Sequence, residues 1–308
     1  METNNRKLKL AVITGGWSSE REISLKSAQS MVEAVQRAGR YEVAVIDYGK
    51  DLAKFAMELN EAKPDVALLA IHGVGAEDGV LQGVLEVAGI PYTSSSVTAS
   101  ALAMDKVLAR IILEKAGLRS PPWELLTLKQ LESFPGPYPY VIKPRNEGSS
   151  FGVSIIHNKD DLDKALAQWV YGDKVLVERY IRGQEIQIAV VCGKAIGAME
   201  IKPQSEFFDY YAKYTEGATQ HIFPPNIPAD VYDTMMAASE LAVETLECSG
   251  VVRVEFIYGD DAGIYLLELN TQPGMTAVSL VPDIAARYGI SYEDIVDEMI
   301  KSAKVHSR

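Results

Sequence analysis

The segment VVRVEFIYGDDAGIYLLELN sets acid against acid. It reads as two strands joined by a turn. A four-residue loop over Asp260 to Gly263, built on a type I turn, puts Gly259 opposite Ile264. Tyr258 then faces Tyr265, Phe256 faces Leu267 and Val254 faces Leu269, a continuous apolar side fit for a core. On the other side Glu255 faces Glu268 and Arg253 faces Asn270. Carboxylates directly opposite each other repel unless a cation lies between them. A hard, oxygen-binding metal is one solution: Mg²⁺ takes one or two carboxylates and completes its octahedron with water and substrate phosphates. A solvated face on which Arg253 neutralises the glutamates is the other, and the residues alone leave both open. A five-residue loop would send the two glutamates to opposite faces.

Lys143 ends an apolar strand and leads into PRNEGSSFG, a loop of small residues whose backbone N–H groups can approach phosphate oxygens. It is no Walker loop, since the GK[ST] element and the following helix are missing. Lys106 could add a second cation. Glu20 follows Ser19, which reads as a helix N-cap with Glu22 completing a capping box, so Glu20 by itself reads as favourable placement on the helix dipole. His72 and Glu77 lie in HGVGAEDG, after a strand, where open α/β sheets hold ligands.

These residues need a frame. The chain of 308 residues has 47% hydrophobic and 23% charged residues, the balance of an ordinary globular protein of about two domains. Thirty Lys and Arg against forty-two Asp and Glu give a net charge of -12, which argues against affinity resting on nucleic-acid phosphates. The longest apolar run, Val66 to Ile71, is too short to span a bilayer, and METNNRKLKL lacks a signal-peptide pattern. A cytoplasmic protein without membrane or nucleic-acid partners is expected. Cys192 and Cys248 show no metal or disulfide spacing.

Strand Leu8–Thr14, a helix from about Ser19 to Ala38 stopped by Gly39, and strands Val43–Ile46 and Val66–Ile71 form a βαβ pattern, implying a parallel sheet. A Ser-rich turn at 94–96 opens one long helical stretch up to Ala116. Strands over 140–143, 153–156 and 175–180 with a helix over 160–170 make a compact α+β unit. Short strands, a polar aromatic-rich segment over 204–220, a helix over 230–246, the acidic hairpin and a helix over 292–303 follow. Three units are expected: 1–94, an N-terminal α/β domain; 95–178, a central α+β unit with the glycine loop; and 179–308, a C-terminal mixed-sheet unit carrying the hairpin.

In colinear order GGWSSEREIS, HGVGAEDG, YTSSSVTASALAMDK, VIKPRNEGSSFGVS, VLVERYIRGQE, FFDYYAKY, RVEF and LLELNTQPGMTAVSLVP resemble the ATP-grasp ligases, and within them the D-alanine:D-alanine ligase family. The resemblance covers nearly the whole chain. It implies an ATP-grasp fold and ATP-dependent joining of two D-alanine molecules through an acyl phosphate, for peptidoglycan precursor synthesis, by an enzyme expected to be a homodimer. It implies that Lys106 and Lys143 hold ATP phosphates, that Glu178, Arg179, Tyr180 and Ile181 line the adenine site, and that Glu185 binds ribose. Glu255, Glu268 and Asn270 would ligate two Mg²⁺ or Mn²⁺ ions, although many relatives carry Asp where this chain has Glu255. Arg253 and the Gly274 N–H would stabilise the oxyanion. Glu20 would anchor the first substrate's ammonium in a triad with Ser149 and Tyr214, with His72 and Glu77 also at the substrate. FFDYYAKYTEG resembles a closing ω-loop, in which Lys213 would meet phosphate or the second substrate's carboxylate, and Ser279 would bind that carboxylate too. The Lys213-Tyr214 pair resembles the dipeptide-forming branch rather than ligases that use D-lactate. Two rivals fare worse. A dinucleotide-dependent oxidoreductase lacks its GxGxxG here, and a silent nucleotide-binding regulator should have lost metal or lysine positions that this chain keeps.

Overall fold

A computed structural model describes residues 6–134, 136–204, 217, 219–276 and 278–307. The expected parallel sheet is present, in the order β2-β1-β3, from β1 (Leu8–Gly15), β2 (Tyr41–Tyr48) and β3 (Val66–Leu69). Helix α1 (Arg21–Ala38) connects the first two strands and stops at Gly39, whose φ of 70° is the left-handed conformation that glycine adopts without cost. Helix α2 (Leu52–Ala62) leads into β3, and α3 (Val80–Ala88) follows it. Helix α1 starts later than the sequence suggested. Glu20, not Ser19, occupies the N-cap position, and no side chain caps the helix. The expected Ser19–Glu22 capping box is absent, and the Glu20 carboxylate accepts from the Ser149 hydroxyl.

The expected single helix up to Ala116 is two. Helix α4 (Val97–Met104) ends at Asp105, whose ψ of 95° breaks the helical path, and α5 (Lys106–Lys115) starts anew with Asp105 as its cap. Both pack on the C-terminal sheet: Ala99, Ala103, Ala109 and Leu113 share a core with Ile188, Val252, Val254 and Phe256. They were expected in the central unit. The core of that unit begins instead at Leu126, on a four-stranded antiparallel sheet ordered β4-β7-β5-β6. Its strands are β4 (Trp123–Thr127), β5 (Tyr140–Pro144), β6 (Ser154–Ile156) and β7 (Lys174–Arg179), covered by α6 (Leu128–Glu132) and α7 (Lys159–Ala167).

A five-stranded antiparallel sheet, ordered β10-β9-β8-β11-β12, carries the hairpin. It comprises β8 (Gly183–Val191), β9 (Lys194–Pro203), β10 (Thr219–Ile222), β11 (Val251–Gly259) and β12 (Ile264–Asn270), backed by α8 (Ala229–Thr245). Beyond the hairpin, α9 (Leu280–Arg287) packs on β8 and β9, α10 (Tyr292–Ser302) returns to α1 and β3, and both belong to one core with Leu10, Val12 and Leu68.

The hairpin register departs from the expected one near the turn and agrees with it at the acids. Gly259 faces Gly263 across a three-residue loop closed by a hydrogen bond from the Ala262 N–H to the Gly259 carbonyl, with Ala262 at φ 59°. Tyr258 therefore pairs with Ile264 and Phe256 with Leu266. The register then shifts between Phe256 and Glu255, leaving Leu267 as the extra residue of a bulge, and Glu255 meets Glu268 and Arg253 meets Asn270. Two one-residue offsets cancel.

Candidate active site

Two clefts adjoin where the glycine loop, the acidic hairpin and the segments after β1 and β3 come together. The larger lies between the four-stranded sheet and the hairpin and is lined by Lys106, Lys143, Glu178, Arg179, Tyr180, Ile181, Glu185, Glu255 and Glu268, with Val141, Ile155, Phe151 and Ile257 as apolar walls. The smaller is lined by Glu20, His72, Glu77, Ser149, Arg253, Asn270 and Gly274. Lys106, Glu147 and Glu268 border both. A flat apolar slot that ends in cations suits a nucleotide, and a small polar chamber suits an amino acid. Of the remaining expected residues, Ser279 borders neither cleft, and Lys213 and Tyr214 lie outside the described residues.

Strand β5 delivers Lys143 into the larger cleft, where its Nζ stands 2.5 Å from Glu178 Oε1 on β7. Burial depresses the Lys143 pKa and Arg110 adds to that, while Glu178 works the other way. Glu178 is held below the usual carboxylate range: burial opposes its charge, and Arg110 and Lys143 together outweigh burial. Its carboxylate is thus engaged by two cations. Lys106, the first residue of α5, donates to the Glu147 carbonyl at 2.6 Å and stands 3.2 Å from Glu268.

Asp105 ties that helix to the glycine loop. Its carboxylate accepts from the N–H groups of Val107 and Leu108, each at 3.1 Å, and from Arg145 Nε at 2.8 and 2.9 Å, with Arg145 Nη2 at 2.6 Å. The loop's left-handed residues are Ser149 (φ 49°) and Ser150 (φ 60°), conformations that cost a residue with a Cβ on the order of 1 kcal/mol or more. Ser149 donates its hydroxyl to Glu20, a bond that helps to fix the turn. Two members of the expected triad therefore touch, and the third, Tyr214, falls outside the described residues.

His72 is buried behind this chamber. Its Nε2 lies 2.9 Å from Ser27 Oγ, and its Nδ1 lies 3.0 Å from the Gln272 carbonyl and 3.5 Å from Glu77 Oε1. Burial opposes protonation, but Glu77, Glu20 and the Gln272 carbonyl prevail, and the pKa is raised. Ser27 Oγ also accepts from the Met275 N–H at 3.2 Å, so α1 steadies the segment that presents Gly274. Gly274 packs so closely that an added Cβ would come within 3.0 Å of Ser279 Oγ. That hydroxyl accepts from the Thr276 N–H at 3.0 Å and lies 2.9 Å from Thr276 Oγ1.

At the acidic rung each carboxylate has its own cation: Arg253 Nε donates to Glu255 at 3.2 Å, and Lys106 attends Glu268. Asn270 Oδ1 accepts from the Gln272 N–H at 2.8 Å. Among the described residues no three His, Cys, Asp or Glu side chains converge as an all-protein metal cage. Two carboxylates and one amide oxygen beside the clefts nevertheless fit Mg²⁺, which keeps waters and takes phosphate oxygens as further ligands.

Sequence reasoning missed Asp105, Arg110, Ser27 and Gln272. Asp105 directly before Lys106 was a readable N-cap signal hidden by the apolar residues around it. Arg110 sits one turn beyond Lys106, a spacing that shares a helix face. Ser27 and Gln272 gain their roles only through tertiary contacts.

Sheet, glycine loop, paired cations and acidic hairpin together define an ATP-grasp ligase, an enzyme that joins carboxylate to amine with ATP consumed and ADP formed. The family profile described as D-ala D-ala ligase C-terminus matches residues 112–301. The chain is 44% identical to a D-alanine–D-alanine ligase of Geobacter sulfurreducens over 303 residues (96% of this chain, 94% of the relative), and 42% identical to one of Rickettsia bellii over 304 residues (98% and 94%). The crystal structure of D-alanine–D-alanine ligase from Bacillus anthracis complexed with ATP superposes with a TM-score of 0.80 at 34% identity, covering 96% of this chain and 97% of that one. The VanG D-Ala:D-Ser ligase of Enterococcus faecalis also superposes at 0.80, at 29% identity, with 96% and 99% covered. The chain belongs to the D-alanine–D-alanine ligase family.

Proposed function

We propose that this protein condenses two D-alanine molecules into D-alanyl-D-alanine, a peptidoglycan precursor, with ATP activating the first carboxylate as an acyl phosphate. The observation that carries this reading is the meeting of a nucleotide-sized cleft and a small polar chamber at Lys106, Glu147 and Glu268. A γ-phosphate at the end of one cleft and a carboxylate in the other would be in reach of each other there.

The backbone from Glu178 to Ile181 would hold adenine, Glu185 ribose, and Lys143 and Lys106 the phosphates. Glu255, Glu268 and Asn270 would hold Mg²⁺ or Mn²⁺, which when bound supplies charge neutralisation for phosphoryl transfer. Glu20, steadied by Ser149 and assisted by Tyr214, would take the first ammonium and so orient its carboxylate, with His72 and Glu77 closing the chamber. The second amine attacks the acyl carbon and phosphate leaves. Arg253 and the Gly274 N–H would stabilise the oxyanion, with Lys213 and Ser279 engaging the second carboxylate. We read the active unit as a homodimer working in the cytoplasm.

Phosphate release with ATP and D-alanine, followed by chromatography of products with D-lactate and D-serine as competing nucleophiles, tests the assignment. D-alanyl-D-alanine is expected as the main product. A majority of D-alanyl-D-serine or D-alanyl-D-lactate would refute the choice of second substrate, and no phosphate release with any D-amino acid would refute the reaction.

A further inference from the structure

Arg110 projects from α5 one turn past Lys106 and is almost fully buried, at 1% exposure. It borders neither cleft. Its Nη2 pairs with Glu178 Oε2 and lies 3.5 Å from the Leu267 carbonyl, while Nε and Nη1 have no hydrogen-bond partner among the described residues. A guanidinium in such a place is a large desolvation cost, and an apolar side chain would fill the space more cheaply.

The count of charges gives a reason for it. Glu178, itself 4% exposed, serves two cations at once, Arg110 on one oxygen and Lys143 on the other. A lone Glu178–Lys143 pair would be neutral, with the ammonium committed to its carboxylate. With Arg110 present the cluster carries one surplus positive charge, and Lys143 is its member that borders the cleft. The neighbouring acid Glu268 also acts on Lys143, but it is shared with Lys106, which stands 3.2 Å from it.

We propose that Arg110 is a positioning residue for nucleotide phosphate: by sharing Glu178 with Lys143 it leaves a fixed, uncompensated positive charge for a polyphosphate to neutralise. The proposal rests on the reading that Lys143 meets phosphate. It differs from a tether between α5 and β7, because a tether would support every ligand of the cleft alike.

The test compares ATP, ADP and adenosine as ligands of the full chain, by competition, in the wild type, Arg110→Met, Arg110→Lys and the double variant Arg110→Met/Glu178→Gln. Arg110→Met cancels the surplus. It is expected to weaken ATP and ADP tenfold or more and adenosine less than twofold. Arg110→Lys should recover most of the loss. The double variant restores the surplus by removing the carboxylate and should bind ATP more tightly than Arg110→Met alone. Equal losses for adenosine and ATP, or no recovery in the double variant, overturn the proposal. If the single Met variant does not fold, the double variant still decides, since it buries no unpaired carboxylate and a tenfold loss of ATP affinity in it would count against the charge argument. Lys143→Ala in the same assay separates the two readings. Unchanged ATP affinity there sinks the phosphate role of Lys143 itself, whereas loss there with none in Arg110→Met sinks only the role of Arg110.

Discussion

Replacing Asp105 by Asn and by Ala separates two things that one carboxylate does. Asn keeps an oxygen for the α5 N–H groups of Val107 and Leu108 but gives up the charge that Arg145 grips. A hydrogen bond to a charged partner contributes about 1.5–3 kcal/mol. Asp105 is buried, but a third of the Arg145 side chain is exposed, which favours the lower end of that range. Asp105→Asn should therefore cost about 1.5 kcal/mol, and Asp105→Ala about 1 kcal/mol more for the lost cap. Both variants loosen the same attachment between the glycine loop and Lys106, so both should raise the KM for ATP by a similar factor although their stabilities differ. Urea denaturation gives the stabilities, and initial rates with D-alanine saturating give the KM. A double-mutant cycle with Arg145→Met should return a coupling near 1.5 kcal/mol. Equal stability of the Asn variant and the wild type, or coupling under about 0.5 kcal/mol, would show that the clamp holds nothing.

Three further outcomes are expected. Glu268→Gln should abolish turnover with the fold intact by circular dichroism, whereas Glu255→Asp should be milder because a carboxylate remains; near-normal rates for the Gln variant at saturating Mg²⁺ would remove the metal role. Glu86 accepts from the N–H groups of His306 and Ser307 and from the Tyr92 hydroxyl, and although burial works against its charge these donors push its pKa down to about 2. Since the folded value lies below the ordinary 4.5, the linked stability is present above pH 4.5 and lost as pH falls towards 2, and amide exchange at 306 and 307 should rise across that window if the attachment depends on the carboxylate. Gly197→Ala would bring a Cβ within 2.0 Å of the Tyr288 ring, an overpacking expected to cost about 1–3 kcal/mol in urea; an unshifted midpoint would mean that the ring moves aside freely.

The parts of this molecule legible in the sequence are those set by local pattern. Alternation along 251–270 puts the carboxylates of Glu255 and Glu268 on one rung, and the βαβ pattern of the first ninety residues gives the parallel sheet. The turn was not legible. A left-handed alanine at 262 has no composition signal, and the bulge at Leu267 that compensates for it has none either. The break at Asp105 was hidden because apolar, helix-forming residues flank it on both sides, in α4 and in α5. Glu20 does sit at a helix terminus, but its pairing with Ser149 could not be read from that position alone, because Ser149 is remote in sequence. Long-range pairings such as Arg110 with Glu178 leave no trace in a single sequence, since each residue alone is an ordinary surface type.

That α9 and α10 complete the core begun by the first sheet has a consequence for how the protein is made. Leu10, Val12, Met31 and Leu68 emerge early from the ribosome, but the side chains that cover them, among them Val281, Ile284, Ile295 and Met299, are synthesised near the other end of this sequence. At roughly 5–20 residues per second the interval is on the order of ten seconds or longer. Throughout it that face of the nascent sheet has the Ala28, Met31, Ala34 and Val35 side of α1 against it but not the later helices. The last layer of that core is laid down only when the acidic hairpin has already left the ribosome.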